Sequence, residues 1–220
     1  PFVSTMIRNT ILAHPYEWPF AGSFSPETTA LVVIDMQNDF CTEGGYLSHQ
    51  GYDIASMRAP IQNIASLLAS FRQHKYPIFH TREGHRPDLS SLLPRELARS
   101  RNNPSGSGIG DPGPMGRLLI RGEPGHDIIP ELYPLEGEPI IDKPGKSAFA
   151  YTDFELLLKV KGINHLIICG VTEEVCVGST VREATERGYD CLVVKNAVGA
   201  SEKGGFGIGC LAIEGGIFGA

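Results

Sequence analysis

A strand, a glycine turn and a helix follow one another between residues 165 and 189, and this unit constrains the fold more than any other stretch. The apolar run from His165 to Cys169 has the length and composition of a buried strand. Thr172 is a suitable N-cap for the helix that follows, and Gly188 suits the C′ position at its end. The unit therefore predicts a buried strand that leads directly into a helix.

Cys176 lies in the first turn of this predicted helix. Unpaired backbone N–H groups and the positive end of the helix dipole favour a thiolate there, so we expect a lowered pKa for this thiol. The thiolate is the nucleophilic form of cysteine. The simpler interpretation is that Cys176 is a buried core residue, because free cysteine is among the most buried residue types.

Strands and helices alternate along the rest of the chain, as is typical of an α/β domain. The run from Thr29 to Asp35 is short, apolar and rich in β-branched residues, which predicts a central parallel strand. Apolar residues at helical spacing predict a helix from Met57 to His74. The other predicted elements are strands at Tyr76–Thr81, Glu138–Lys143 and Cys191–Lys195 and a helix at Thr152–Lys161. This order predicts a mostly parallel sheet with right-handed crossovers.

The chain of 220 residues is long enough for one domain with a full core. We expect an N-terminal arm at residues 1–27, rich in aromatic residues and proline, followed by a single domain at residues 28–220. The arm is expected to pack on a surface of the domain or on a neighbouring subunit. Residues 102–117 are dense in glycine and proline, which indicates a lid, a binding loop or an assembly element, with disorder as the alternative.

Charge and composition exclude several classes of protein. The net charge of −6 and the absence of a long basic cluster argue against a nucleic-acid partner. No apolar run approaches the length of a membrane span, so we expect no membrane insertion. The first residues lack the features of a secretory signal, and five cysteines without C-x-x-C spacing indicate neither a disulfide framework nor a zinc site. A reducing cytoplasm is the predicted location.

Three reactive residue types stand at or just after the carboxyl ends of predicted strands: Asp35, Lys143 and Cys176. Ligands bind at this edge of open parallel α/β sheets. The thiolate of Cys176 is expected to attack the substrate, the ammonium of Lys143 to stabilise the thiolate and to position Asp35, and Asp35 to transfer the proton. Each residue also has a simpler explanation, as a turn former, a surface charge or a core residue respectively.

Three motifs give this pattern a family resemblance: IDMQNDFC at residues 34–41, DKPGKSAF at 142–149 and GVTEEVCVGSTVREATERGY at 170–189. They resemble the signature blocks of the isochorismatase-like cysteine hydrolases. Neighbouring segments of the sequence, such as HTREGHRPDL at 80–89, resemble the biuret and triuret hydrolase branch of that family. The likeness extends over nearly the whole chain from Tyr16 onward.

The resemblance implies a Rossmann-like, three-layer α/β/α fold with a six-stranded, mostly parallel sheet. It also implies a homotetramer, an Asp-Lys-Cys triad, no cofactor and no metal, and hydrolysis of a C–N bond in a small linear amide or ureide. In that family a cis peptide bond precedes the residue that corresponds to Thr172. The backbone N–H groups of Thr172 and Cys176 are then expected to form the oxyanion hole.

The resemblance also suggests three substrate-binding residues: Phe40, Phe149 and Glu214. Glu214 stands where biuret hydrolase has a glutamine, and a carboxylate accepts hydrogen bonds but cannot donate them. This departure leaves biuret, triuret and other ureido compounds open as substrates. A buried Glu214 is expected to need either a substrate N–H or a basic group within hydrogen-bonding reach, with Lys146 as the candidate basic group.

The end of the chain departs from the family in two further ways. Glycines at positions 204, 205, 207 and 209 disfavour the helix that the family has there. Relatives continue beyond the point where this chain ends, at IFGA, which leaves open whether a final segment is absent.

Other functions remain as alternatives. A ureidoacrylate or N-carbamoyl amino acid amidohydrolase belongs to the same family, and a non-catalytic small-molecule-binding protein with this fold belongs to a different class. A metal-assisted nicotinamidase would need an Asp-x-His pair, which Asp53-Ile54-Ala55 does not supply. A true isochorismatase cleaves a vinyl ether without this cysteine, so Cys176 argues against that activity.

Overall fold

A sheet of five parallel strands lies at the centre of the computed structural model, which describes residues 9–201. From one edge to the other the strands are β5 (Ile140–Lys143), β2 (Ile78–Glu83), β1 (Thr29–Ile34), β6 (His165–Val171) and β7 (Asp190–Gly199). Two further strands, β3 (Pro112–Gly113) and β4 (Gly116–Arg117), pair antiparallel in a separate hairpin.

Helices of very different length connect the strands. They are α1 (Asn38–Cys41), α2 (Tyr46–His49), α3 (Ala55–Arg58), α4 (Ile61–Gln73), α5 (Pro94–Ser100), α6 (Phe154–Val160) and α7 (Gly178–Glu186). A π-helical turn at Glu173–Val177 runs directly into α7, and short 3₁₀ turns lie at Pro124–His126 and Pro130–Leu132.

The side chains of β1 alternate between two apolar cores, because successive residues of a strand point to opposite faces of the sheet. Leu31 and Val33 pack in the core that includes α4, whereas Val32 and Ile34 pack in the core that includes α6 and α7. All six residues of β1 are buried, as their β-branched, apolar composition predicts for a strand covered on both sides. The helices therefore form layers on both faces of the sheet, which confirms the three-layer α/β/α fold.

The predicted strands are present with small differences at their ends. β2 begins two residues later than predicted and continues to Glu83, and β7 continues to Gly199. The sixth strand implied by the resemblance has no counterpart in residues 9–201, because the two other strands there form the hairpin and do not join the main sheet. Glu214 and the glycine-rich segment 204–209 lie outside the described residues.

The described part of the N-terminal arm packs against the sheet edge near β6 and β7. Trp18 is 1% exposed and makes an edge-on contact with the ring of His165. The backbone N–H of Phe20 donates to a carboxylate oxygen of Asp190. The arm thus packs on the domain as one of the two expectations has it, while the boundaries at residues 27 and 28 stay a prediction.

The glycine- and proline-rich segment 102–117 is ordered by side-chain hydrogen bonds to its backbone. The amide of Gln50 donates to the carbonyl oxygens of Ser100 and Ser107. Asn103 donates to the same two carbonyl oxygens. These contacts hold the segment beside the end of α2, and its role as a lid, a binding loop or an assembly element stays a prediction.

In the part of the chain that the structure describes, no helix has the length and apolar character needed to cross a membrane.

Candidate active site

The side chains of Asp35, Lys143 and Cys176 come together at the carboxyl ends of three strands. Asp35 follows β1, Lys143 ends β5, and Cys176 lies in the π-helical turn after β6. Their exposed fractions are 0%, 0% and 3%. Lys143 Nζ lies 2.7 Å from Asp35 Oδ2. The three residues therefore meet at one edge of the sheet, as strand-end positions predict, while their catalytic roles stay predictions.

Asp35 is held by its backbone and by β2. Its φ angle of 49° lies in the left-handed region, which turns the chain sharply at the end of β1. The hydroxyl of Thr81 donates to Asp35 Oδ1 at 2.6 Å, while Oδ2 faces Lys143. Burial raises the pKa of Asp35, and the ammonium of Lys143 opposes that rise. A carboxylate with a raised pKa is a better proton acceptor than an exposed aspartate.

Gly170 lets the end of β6 approach the end of β1 closely. Its φ angle is 114°, and a Cβ at this position would lie 2.1 Å from the carbonyl oxygen of Ile34. Only glycine fits such an approach, because both the φ angle and the space exclude a side chain. The peptide bond between Val171 and Thr172 is cis, as the resemblance implies. The turn that follows carries Cys176 toward Asp35.

The start of the helix differs in detail from the sequence prediction. Thr172 has an extended backbone, as expected for an N-cap, but its side chain makes no capping hydrogen bond. The first turn is π-helical, and the α-helix begins only at Gly178. Gly188 has a φ angle of 85° and follows the last helical turn, which confirms it as the C′ residue. Within residues 9–201 the backbone N–H of Thr172 has no hydrogen-bond acceptor.

The predicted pKa shift of Cys176 is wrong in direction for the empty site. Burial raises the pKa of this thiol well above its ordinary value. Lys143 and Lys146 lower it, whereas the carboxylates of Glu83 and Asp35 raise it further. Burial and the two nearby carboxylates therefore outweigh the stabilisation of the thiolate by the backbone at the helix start. The resting site therefore holds a protonated thiol.

Glu83 is the site residue that the sequence prediction missed. It is the last residue of β2, it is 2% exposed, and its Oε2 accepts a hydrogen bond from the Cys176 thiol at 3.1 Å. Its other oxygen, Oε1, lies 2.6 Å from Lys146 Nζ. The signal that was available is its position, because Glu83 follows the predicted strand Tyr76–Thr81 by two residues and in the structure it ends β2.

Glu83 and Lys146 each stabilise the charged form of the other. Burial raises the pKa of Glu83, but Lys146 and Lys143 outweigh this effect and lower it to about 2. Burial lowers the pKa of Lys146, but the contact with Glu83 outweighs this effect and raises the pKa. Both groups are therefore ionised at neutral pH. Lys146 was suggested as a partner for Glu214, but among the described residues its partners are Glu83 and, at 3.5 Å, Glu96.

A cavity of about 350 Å³ opens above Cys176, a volume in the range of small-molecule sites. Phe40 lines this cavity, as expected for a substrate-binding residue. The lining also includes Tyr46, Gln50, Glu83, Arg99, Asn103, Lys146 and Thr172. The wall therefore combines aromatic surface with amides and charged groups around the thiol.

Phe149 does not line this cavity. Its ring packs against those of Phe154 and Tyr189 and lies beneath the guanidinium of Arg187, in the core that includes α6 and α7. This position gives no support for substrate contact by Phe149. Glu214, the third suggested residue, lies outside the described residues.

Asp35, Glu83 and Cys176 each offer one atom that could bind a metal, and these atoms lie within 4.8 Å of one another. The ammonium of Lys143 lies 2.7 Å from Asp35 and 3.6 Å from Glu83. A protein side chain thus supplies positive charge between the two carboxylates. The donor set therefore fits an acid–base–thiol site, and the absence of a metal stays a prediction.

A family model for the isochorismatase domain matches residues 29–205. The chain belongs to the isochorismatase family. It is 33% identical over 188 residues to the ureidoacrylate amidohydrolase RutB of Pantoea ananatis, a match that covers 81% of this chain and 72% of the relative. The corresponding protein of Cronobacter sakazakii is also 33% identical, over 180 residues, which cover 81% of this chain and 78% of the relative.

Solved structures of the family share the fold. An isochorismatase family protein from Desulfovibrio vulgaris superposes with a TM-score of 0.69 at 28% identity, covering 84% of this chain and 89% of that one. A cysteine hydrolase from Pseudomonas syringae pv. phaseolicola superposes with a TM-score of 0.72 at 24% identity, covering 95% and 91%. The hydrolase fold predicted from the motifs is thereby confirmed.

Proposed function

We propose that the protein is a cysteine-dependent amidohydrolase that cleaves a C–N bond of a small linear ureide of the biuret or triuret type. The observation that carries the proposal is the convergence of Asp35, Lys143 and Cys176, of which Cys176 lines a cavity of about 350 Å³. A nucleophile, a cation and a carboxylate in contact are the groups that acyl transfer through a thioester requires.

In this mechanism Asp35 accepts the proton of the Cys176 thiol, and the thiolate attacks the ureide carbonyl carbon to form a C–S bond. The backbone N–H groups of Thr172 and Cys176 stabilise the oxyanion. Asp35 then gives its proton to the leaving nitrogen, and the C–N bond breaks with release of ammonia. Water hydrolyses the thioester in the second half of the cycle, and Asp35 takes its proton and returns it to the sulfur.

A neutral ureide suits the charges around the thiol. Glu83 is anionic and adjoins Cys176, so a second carboxylate at the same position is repelled. Lys146, a cation on the cavity wall, is already paired with Glu83.

A second candidate is a ureidoacrylate or N-carbamoyl amino acid amidohydrolase. It is favoured by the relatives named above and by Arg99, a cationic residue that lines the cavity. The side chain of Arg99 is 61% exposed, which places it toward the mouth of the cavity. A substrate with one acidic end would orient that end toward Arg99 and its carbamoyl end toward Cys176.

The decisive experiment measures ammonia release from biuret, triuret, a ureidoacrylate-like acid, an N-carbamoyl amino acid and nicotinamide. We expect turnover of at least one ureide by the wild type and none by Cys176→Ser, because a serine hydroxyl does not ionise at neutral pH. Cys191→Ser is the matched control, since Cys191 is buried in the core that includes α6 and α7. Wild-type turnover by Cys176→Ser would overturn the proposal.

The non-catalytic alternative predicts binding without turnover. Iodoacetamide labelling separates the two functions further, because the catalytic thiol should react faster than Cys41, Cys169 and Cys191 and should be protected by substrate. Burial raises the pKa of each of these three other thiols, and no cavity-lining cation lowers the pKa of Cys169 or Cys191. The homotetramer implied by the resemblance and the cytoplasmic location predicted from the cysteine pattern stay predictions, and sedimentation of the purified protein tests the first.

A further inference from the structure

We propose that Glu83 is a specificity-determining residue that accepts a hydrogen bond from the Cys176 thiol in the empty cavity and from a ureide N–H when substrate is bound. This inference rests on the proposed function and deepens it. It assigns a role to a buried carboxylate at the cavity base that the Asp-Lys-Cys mechanism does not use.

Glu83 is held in one position from several directions. Its backbone N–H donates to Gln37 Oε1 at 2.6 Å, and Gln37 Nε2 donates back to the Glu83 carbonyl oxygen at 3.0 Å. Its carboxylate contacts Lys146 through Oε1 and Cys176 through Oε2. A side chain fixed in this way is pre-organised, and pre-organised acceptors lose little entropy when a ligand binds.

The contacts of Glu83 suit an acceptor of hydrogen bonds and do not suit a base. Lys146 and Lys143 hold its pKa at about 2 in spite of burial, so Glu83 keeps its charge and takes up no proton near neutral pH. Asp35, whose pKa is raised by burial, is the better proton acceptor of the two carboxylates. The two buried carboxylates therefore have different roles. Asp35 transfers a proton, and Glu83 accepts hydrogen bonds from N–H groups.

The thiol contact gives Glu83 a second effect on the site. Its negative charge and its hydrogen bond both favour the protonated form of Cys176, which lowers reactivity when the cavity is empty. A substrate that brings its own N–H to Glu83 replaces the S–H donor. The released thiol proton is then free to move to Asp35, so binding of a ureide and activation of the nucleophile become one event.

This arrangement distinguishes ureides from simple amides. In a ureide the scissile carbonyl carries nitrogen on both sides, so an N–H remains beside the carbonyl after the leaving nitrogen is assigned. A simple amide has carbon on that side and leaves the Glu83 carboxylate without a donor. An unpaired buried acceptor costs free energy, so the amide is rejected.

The first test is the pH dependence of iodoacetamide alkylation of Cys176 in Glu83→Gln, which keeps the shape and removes the charge. We expect the midpoint of the alkylation profile to move at least about one pH unit lower, which corresponds to about a tenfold gain in thiolate fraction. Glu96→Gln is the matched control, because Glu96 also contacts Lys146 but makes no contact with the thiol. A midpoint that stays in place or moves to higher pH overturns the proposal.

The second test compares biuret with malonamide, which differs only by CH₂ in place of the central N–H. We expect Glu83→Gln to lower kcat/KM for biuret about 10- to 100-fold, the effect of losing a hydrogen bond to a charged group, and to lower the biuret-to-malonamide ratio. Glu83→Asp keeps the charge, so it should retain part of the wild-type kcat/KM for biuret and part of the wild-type biuret-to-malonamide ratio. It also serves as the test if the glutamine variant does not fold.

An unchanged biuret-to-malonamide ratio in a variant that still hydrolyses biuret overturns the substrate role of Glu83. The failure of the proposed function would look different, because the wild type itself would then hydrolyse no ureide. The alkylation profile needs no substrate, so it tests the contact between Glu83 and Cys176 independently of that outcome.

Discussion

Lys143 Nζ and Asp35 Oδ2 lie 2.7 Å apart, and neither side chain has any exposure to solvent. The two residues come from strands that are not neighbours, because β2 lies between β5 and β1. Burial and the direct contact fix the relative position of the two groups. Removing Lys143 leaves Asp35 as a buried carboxylate without its counter-ion, whereas removing Asp35 still leaves Lys143 3.6 Å from Glu83.

Lys143→Met should lower the free energy of unfolding by about 3–5 kcal/mol, because it leaves Asp35 as an uncompensated buried carboxylate. It should also shift the alkylation midpoint of Cys176 to higher pH, since Lys143 lowers the pKa of that thiol. Urea unfolding and iodoacetamide kinetics measure the two effects. Lys159→Met is the control, because Lys159 forms only an exposed pair with Glu155. Equal stability of the two variants would contradict the prediction.

Asp35→Asn should lower kcat about 10²- to 10⁴-fold while KM changes little, because the amide cannot accept the thiol proton. Steady-state ammonia release measures the effect, and the far-ultraviolet circular dichroism spectrum checks that the fold is kept. The hydroxyl of Thr81 still has an oxygen to donate to in this variant. A kcat within tenfold of the wild type would assign proton transfer to another group.

Much of this site follows from local sequence patterns. β-branched apolar runs predict the strands β1 and β6. The rule that ligands bind at the carboxyl ends of parallel strands predicts that Asp35, Lys143 and Cys176 lie close together. The C′ role of Gly188 was likewise predictable, because a positive φ angle after a helix favours glycine. Each of these inferences needs only neighbours along the chain.

The position of Glu83 in the site and the raised pKa of Cys176 both depend on the order of the strands in the sheet. The sequence pattern does not determine that order. β2 lies between the strands that carry Asp35 and Lys143, so its last residue falls in the middle of the site. Without that order Glu83 resembles any charged residue at the end of a strand. The rise in the Cys176 pKa comes from the same packing, since burial and Glu83 both contribute to it.

Gly170→Ala should be among the most destabilising single substitutions in the chain. The new Cβ would lie 2.1 Å from the carbonyl oxygen of Ile34, at a φ angle of 114° that alanine rarely adopts. Gly188→Ala is the matched control, because its φ angle is also positive at 85° but nothing lies within 4 Å of its Cβ. We expect a loss of about 1 kcal/mol for the control and more than about 3 kcal/mol for Gly170→Ala, measured by urea unfolding. Similar losses for both would contradict the steric argument.

The protein should lose stability as the pH falls from about 6.5 to about 4, in part because of His126. Burial, together with the charge of Arg82, lowers the pKa of this histidine to about 4. Between its unfolded and folded pKa values the unfolded chain binds the additional proton, so unfolding becomes more favourable as the pH falls. His126→Gln should flatten the pH dependence of the unfolding free energy in this window. A parallel pH dependence in wild type and His126→Gln would contradict this assignment.

Arg99 should separate acidic from neutral ureides. It lines the cavity from α5, and its guanidinium is already paired with Glu96, so it can exchange part of that pairing for a substrate carboxylate. Arg99→Met should raise KM about 2- to 10-fold for an N-carbamoyl amino acid, a modest effect because the side chain is largely exposed to solvent. It should leave KM for biuret unchanged, because biuret has no charged end.

Arg95→Met is the matched control for this experiment, since Arg95 is an exposed residue of the same helix and is not part of the cavity lining. Steady-state kinetics with biuret and with N-carbamoyl-β-alanine on the three proteins measure the effect. If Arg99→Met raises KM for the acid alone, Arg99 binds the acidic end and the protein accepts both substrate types. If KM for both substrates rises equally, Arg99 supports the cavity wall and does not bind the substrate carboxylate. The substrate selectivity must then come from other cavity residues, beginning with Glu83 and Phe40.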